Sequence, residues 1–133
     1  MPWAVLDASA AVEVLLRTPK GRRAQEALRD CHVAVPAHFD AEVLSALGRL
    51  VRGGALEERL VAPILREVAR APFVRYALAP LLSAAWNSRH NLSLRDALYV
   101  ALAYRMETRL VTSDGRLARA PALGIEVFLA AEG

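Results

Sequence analysis

Four acidic residues stand out by their settings: Asp7 in "VLDASA", Glu42 in "HFDAEVL", Asp96 in "SLRDALY" and Asp114 in "TSDGRL". Taken singly, each has a structural use. Asp7 can cap a helix starting at residue 8, and Asp114 can cap a turn at 115, with Gly115 easing the corner. Asp96 lies three residues after Ser93 and can complete a capping box with it. Glu42 can simply be solvated. Taken together, they suggest chemistry. Four carboxylates gathered in one place repel, and their pKa values rise unless a cation neutralises them. An all-oxygen set suits a hard ion, Mg²⁺ or Mn²⁺. Such ions activate water and clamp phosphate oxygens during displacement. Ser9 and Thr112, each two residues from an aspartate, could hold a carboxylate or a metal-bound water in place, or make ordinary cap and turn hydrogen bonds.

Whether the acids meet depends on the elements that carry them. "WAVLD" (3–7) is a short apolar run that reads as a buried strand, and "ASAAVEVLLR" (8–17) as a helix stopped by "TPKG". "RRAQEALRD" (22–30) reads as a second helix and "HVAVP" (32–36) as a strand. Residues 37–53 carry a helical stripe of Val43, Leu44, Leu47, Leu50 and Val51 that ends at Gly53-Gly54. Residues 55–70 read as another helix, kinked or split at Pro63. A short strand at 73–79, a helix at 79–90 and a helix at 93–105 follow. "RLVTS" (109–113) reads as a strand, 115–120 as a helical turn and "IEVFLA" (125–130) as a last strand.

Strands alternating with helices imply an α/β fold with a mainly parallel sheet covered on both faces. Sites in such sheets lie beyond the carboxyl ends of the strands. Asp7 closes the first strand and Asp114 follows the strand at 109–113. If both strands are central, these two converge, and helix starts at the same edge bring in Glu42 and Asp96.

The rest of the chain narrows the class. At 133 residues, 55% hydrophobic and 23% charged, it reads as a single ordered domain, 1–133, with no repeat or interdomain linker. No apolar run approaches the roughly 18 residues of a membrane span. The N-terminal stretch lacks a basic n-region and is interrupted by Asp7 and Glu13, so it does not read as a signal peptide. A single cysteine, Cys31, excludes an internal disulfide and fits a reducing cytoplasm. The net charge of +3 permits an acidic partner such as nucleic acid without demanding one. Arg95 and Arg116 are the arginines nearest the acids in sequence and the first candidates for binding flanking phosphates. His32, His38 and His90 show no ligand spacing, and His38, beside Glu42, reads as structural or exposed. Gly53-Gly54 lacks the Lys-Ser/Thr of a phosphate loop, and no nucleophile motif is present. Trp3, Trp86, Tyr99 and Tyr104 read first as core or interface residues, second as base-stacking platforms.

"VLDASA", "VPAHFDAEVLSALGRLVRGGAL", "LSLRDALYVALA" and "LVTSDGRLA" resemble, in order, the signature blocks of PIN-domain ribonucleases, and most closely the VapC-type toxins of prokaryotic toxin–antitoxin pairs. The resemblance covers nearly the whole chain. It implies a PIN-like three-layer sandwich and a Mg²⁺- or Mn²⁺-dependent endoribonuclease. Asp7, Glu42, Asp96 and Asp114 match the family's acidic metal-site residues, Ser9 its small polar residue after the first Asp, and Thr112 its hydroxyl residue before the last. Arg95 departs from the family, which often has an aromatic or small residue there, and places a cation beside the site. The resemblance further implies RNA as substrate, a cognate VapB-type antitoxin and a homodimer, with the apolar helices at 37–53 and 55–70 as possible contact surfaces. Two other readings stay open: a PIN nuclease of RNA processing or of DNA, and a PIN-fold binding module without turnover.

Overall fold

The computed structural model describes residues 1–121 and 123–131. Its centre is β1 (Trp3–Leu6), whose Ala4 and Val5 are wholly buried. A strand covered on both faces needs this kind of continuous apolar run. β1 pairs with β2 (His32–Pro36) on one side and with β4 (Arg109–Thr112) on the other. β3 (Val74–Tyr76) and β5 (Val127–Leu129) form the edges. The order is β3-β2-β1-β4-β5, and every pairing is parallel, which makes the sheet more uniform than the mainly parallel one expected. The chain winds outward from β1 through β2 to β3, then returns to the far side of β1 as β4. The strand order therefore reverses between β1 and β4, where open sheets of this type leave a crevice.

Helices cover the sheet. α1 (Ala8–Leu15) and α2 (Pro19–Leu28) pack on each other and on β4. α3 (Phe39–Arg52) packs on α1, and α4 (Val61–Arg70) packs on α3. α6 (Leu94–Arg105) lies over β1, β2 and β4, with α5 (Leu82–Asn87) against it. Right-handed crossovers put α1–α4 and α5–α6 on opposite faces, because the chain reverses direction across the sheet between β3 and β4. The result is the expected three-layer sandwich. α7 (Gly115–Arg119) is one short turn after β4. No helix among the described residues is long and apolar enough to cross a membrane.

Local chemistry sets the helix ends. Thr18 accepts from the Gly21 amide at 3.0 Å and Pro19 opens α2, so this helix starts earlier than the expected residue 22. At Gly21 a Cβ would lie 2.1 Å from the Glu13 carbonyl oxygen, so only glycine lets α1 and α2 approach this closely. The 55–70 segment is not one helix with a break at Pro63. A 3₁₀ turn at Glu58–Leu60 leads into α4, and Pro63 lies in its first turn. No intrahelical bond is lost there, since the first four amides of a helix have no partner within it. Likewise the expected 79–90 helix divides into a 3₁₀ turn, Ala79–Leu81, and the shorter α5. Arg75 in β3 clamps Asp40 with Nε at 2.7 Å and Nη2 at 3.0 Å and donates to the Val68 carbonyl at 2.9 Å. This bidentate contact fixes the start of α3, and so the segment that carries Glu42.

Candidate active site

Asp7 directly follows β1, and its backbone amide still donates to Val111 in β4 at 2.9 Å. Sheet pairing thus holds the residue to the last atom before α1. Asp7 occupies the N-cap position of α1, but its side chain makes no capping bond. Instead Oδ2 accepts from Ser9 Oγ and from Thr112 Oγ1, each at 2.6 Å. Thr112 is fully buried, its hydroxyl also accepts from the Asp114 amide at 3.0 Å, and Ser9 accepts from the Ser113 amide at 3.2 Å. Ser9 and Thr112 therefore do what their spacing suggested: they orient one aspartate and tie it to the loop bearing the other. Oδ1 of Asp7 accepts no protein hydrogen bond among the described residues.

Glu42 comes from the first turn of α3 and is not solvated. Its Oε1 accepts from the Tyr99 hydroxyl at 2.6 Å, and its Oε2 lies 3.8 Å from Arg95 Nη1. Tyr99 is wholly buried on α6. Burial, followed by the Glu42 carboxylate, pushes its phenol well up, so it stays protonated and donates. His38 packs on Tyr99 with ring centroids 4.8 Å apart, and its Nε2 donates to the Arg95 carbonyl at 3.1 Å and lies 3.5 Å from Glu42 Oε1. His38 Nδ1 is buried without a partner among the described residues.

Asp96 sits in the first turn of α6. Ser93 Oγ accepts from the Asp96 amide at 3.2 Å, so the N-cap of α6 is real. Asp114 caps α7 through Oδ1, which accepts from the Arg116 amide at 2.9 Å. All four acids nevertheless line one cleft at the β1/β4 carboxyl edge.

The acids also influence one another's charge. Burial pushes the Asp7 carboxyl above its ordinary value. The Ser9 and Thr112 hydroxyls oppose the shift, and the charges of Asp96 and Glu42 add to it. Asp96 is raised as well, chiefly by burial and also by Asp114 and Glu42, with Ser93 and Arg95 pulling the other way. Carboxylates that raise one another's pKa gain from a bound cation, and carboxylate and hydroxyl oxygens are the donors a hard divalent ion prefers. The residues fit such an ion in kind. They are not a closed cage, because among the described residues no three acidic, histidine or cysteine side chains stand in ion-holding geometry. Glu42 Oε1 is engaged by the Tyr99 hydroxyl and Asp114 Oδ1 by the Arg116 amide.

Tyr99 is a core residue, as its place on the helix at 93–105 predicts, and its hydroxyl carries a role that the spacing does not reveal. Nor does the spacing reveal Arg49 of α3, which lines the cleft beside Arg95 and Asp96. Trp86 and Tyr104 are not core residues but are 56% and 65% exposed.

The PIN-domain family model matches residues 4–123. Ribonuclease VapC3 of Mycobacterium tuberculosis is 50% identical over 117 residues, covering 87% of this chain and 85% of the relative. Ribonuclease VapC12 of the same organism is 37% identical over 127 residues, covering 96% and 98%. Among solved structures, a Pyrobaculum aerophilum protein superposes with a TM-score of 0.67 at 23% identity, covering 95% of this chain and 83% of its own. A toxin–antitoxin complex from Klebsiella pneumoniae gives 0.68 at 17% identity, covering 97% and 98%. Those two likenesses speak for the fold. The family model and the identity to ribonucleases VapC3 and VapC12 go further: this chain belongs to the PIN-domain family, among the VapC ribonucleases.

Proposed function

We propose that this chain is a divalent-metal-dependent endoribonuclease and the toxin of a VapBC-type pair. The observation that carries the reading is the meeting of Asp7, Glu42, Asp96 and Asp114 in one cleft at the β1/β4 switch point. These four would hold Mg²⁺ or Mn²⁺. A divalent ion held there would supply an activated water and charge neutralisation at the phosphodiester. The chain's own residues do the rest. Ser9 and Thr112 hold Asp7 by Oδ2, Tyr99 holds Glu42 by Oε1, and the guanidiniums of Arg95 and Arg116 receive phosphates flanking the cut.

Purified protein incubated with varied RNAs and either Mg²⁺ or Mn²⁺ should yield internal cleavage that EDTA abolishes and Asp7→Asn or Asp96→Asn removes. Cleavage that survives both substitutions rules out the site assignment.

The toxin role rests on the named relatives, which are VapC ribonucleases. It includes a VapB-type antitoxin as partner, action in the cytoplasm and a homodimeric assembly. Expression in a bacterial host should arrest growth, and co-expression of the adjacent small gene should restore it. Growth without arrest, alongside RNA cleavage in vitro, points instead to a processing nuclease.

A further inference from the structure

The cleft has two unlike arms. One runs along α1 and α3, past Val12, Leu16, Ala46 and Leu50, and shares Arg49 and Arg95 with the other where the two meet. The other runs from Asp96 and Asp114 toward the loop between α5 and α6, and is lined by Arg49, Arg89, Arg95 and Arg116. Arg49, Arg89 and Arg116 have no carboxylate within ion-pair distance among the described residues. Guanidiniums free of acidic partners, set along the rim of an acidic centre, leave their charge for a polyanion. Arg89 also lies over the Trp86 ring at 4.6 Å and donates to the Trp86 carbonyl at 3.0 Å. It thereby joins the arm to an indole that is more than half exposed.

We propose that the arginine arm carries the single-stranded RNA on one side of the cleaved phosphate, and that Trp86, backed by Arg89, stacks an unpaired base of that strand. The inference rests on the nuclease reading and adds a direction to it: backbone contacts lie on the α5–α6 side, and the apolar arm along α1 takes no phosphates. A stacked base must be splayed out, so the substrate is unpaired at that position. A tryptophan face with a cation behind it is a stacking platform indifferent to base identity.

The test is the affinity of the full chain for a labelled single-stranded RNA, measured by fluorescence anisotropy in EDTA over a range of salt. Arg89→Ala and Arg116→Ala should each lower the slope of log affinity against log salt by about 0.7, the value for one phosphate contact on a single strand. Trp86→Ala should weaken binding roughly tenfold, as expected for one lost stacked base, and Trp86→Phe should recover much of that. Arg29→Ala removes the same charge ahead of β2, at the opposite edge of the sheet, and should leave the slope unchanged. Slopes for Arg89→Ala and Arg116→Ala equal to that of Arg29→Ala overturn the proposal. So does a Trp86→Ala protein that binds RNA as before but sediments as a smaller species, since Trp86 is then a contact between copies. Cleavage with Mn²⁺ is scored separately on the unaltered chain. No cleavage there removes the nuclease reading, and the binding series still decides the arm.

Discussion

Tyr99 and Glu42, carried on different helices, share a 2.6 Å hydrogen bond in which the phenol donates to Oε1. Because Tyr99 is fully buried, that bond fixes one carboxylate oxygen of Glu42 against the core and leaves the other toward Arg95. We predict that Tyr99→Phe keeps the ring packing and loses about 1.5–3 kcal/mol of stability, the worth of one hydrogen bond to a charged group. RNA cleavage should fall by roughly tenfold, about 1.4 kcal/mol of transition-state stabilisation, with a higher Mn²⁺ concentration needed for half-maximal rate. An unchanged metal titration would reduce Tyr99 to a packing residue.

Asp7 yields a prediction about pH. Its folded-state pKa lies above the ordinary value of 3.8. Between those two values the folded state binds more protons than the unfolded one, so stability falls as pH rises through the window. Above that window and without divalent metal, the buried Asp7 carboxyl is a burden on the folded state. Asp7→Asn should melt higher than the unaltered protein at pH 7.5 in EDTA, and the gap should narrow on acidification toward pH 4. Adding Mg²⁺ should raise the melting temperature of the unaltered chain and not that of the variant. A variant that melts lower at pH 7.5 would contradict the raised pKa.

The layout of this site was partly legible in the sequence. Asp7 and Asp114 could be placed because each follows a short apolar run, and parallel strands put such ends on one edge. What could not be read was pairing across distance. Tyr99 lies on the buried stripe of α6, where a tyrosine looks like any large core residue, and nothing local shows that its hydroxyl meets a glutamate 57 positions away. Arg49 lies on α3 and Arg89 in the turn after α5, and only the return of the chain from β3 to β4 brings them to one rim. The divisions at 58–61 and 79–82 were missed for a different reason. Pro63 lies in the first turn of α4, where proline starts a helix instead of breaking one, and the 3₁₀ turn at Ala79–Leu81 runs straight into α5 with no sequence signal between them.

Thr112 holds three groups with one hydroxyl: it donates to Asp7, accepts from the Asp114 amide and lies 3.2 Å from Ser9. Thr112→Val preserves the shape and strands the Asp114 amide. The expected loss is about 1–3 kcal/mol, because the fully buried Thr112 hydroxyl serves both Asp7 and a partly buried amide. Ser9→Ala should cost less, because Ser9 is only partly buried. Urea unfolding in EDTA checks the order, and the reverse order would show that Ser9 is the main support of Asp7.

Asp96 remains the residue with two readings, and two substitutions separate them. The cap of α6 is made by the Ser93 side chain and the Asp96 backbone amide, and the Ser93 hydroxyl also steadies the Asp96 carboxylate without that carboxylate forming the cap. Ser93→Ala should therefore cost about 1 kcal/mol, as for a lost N-cap, while cleavage falls far less than in Asp96→Asn. Asp96→Asn keeps the amide and the cap but removes a charge that burial, Asp114 and Glu42 all disfavour. In EDTA at neutral pH it should be at least as stable as the unaltered protein, and with Mn²⁺ it should fail to cut RNA. Thermal melts and cleavage assays on the two variants give opposite patterns if the carboxylate serves the cleft. If Asp96→Asn is the less stable of the pair and still cuts RNA, the carboxylate serves the helix.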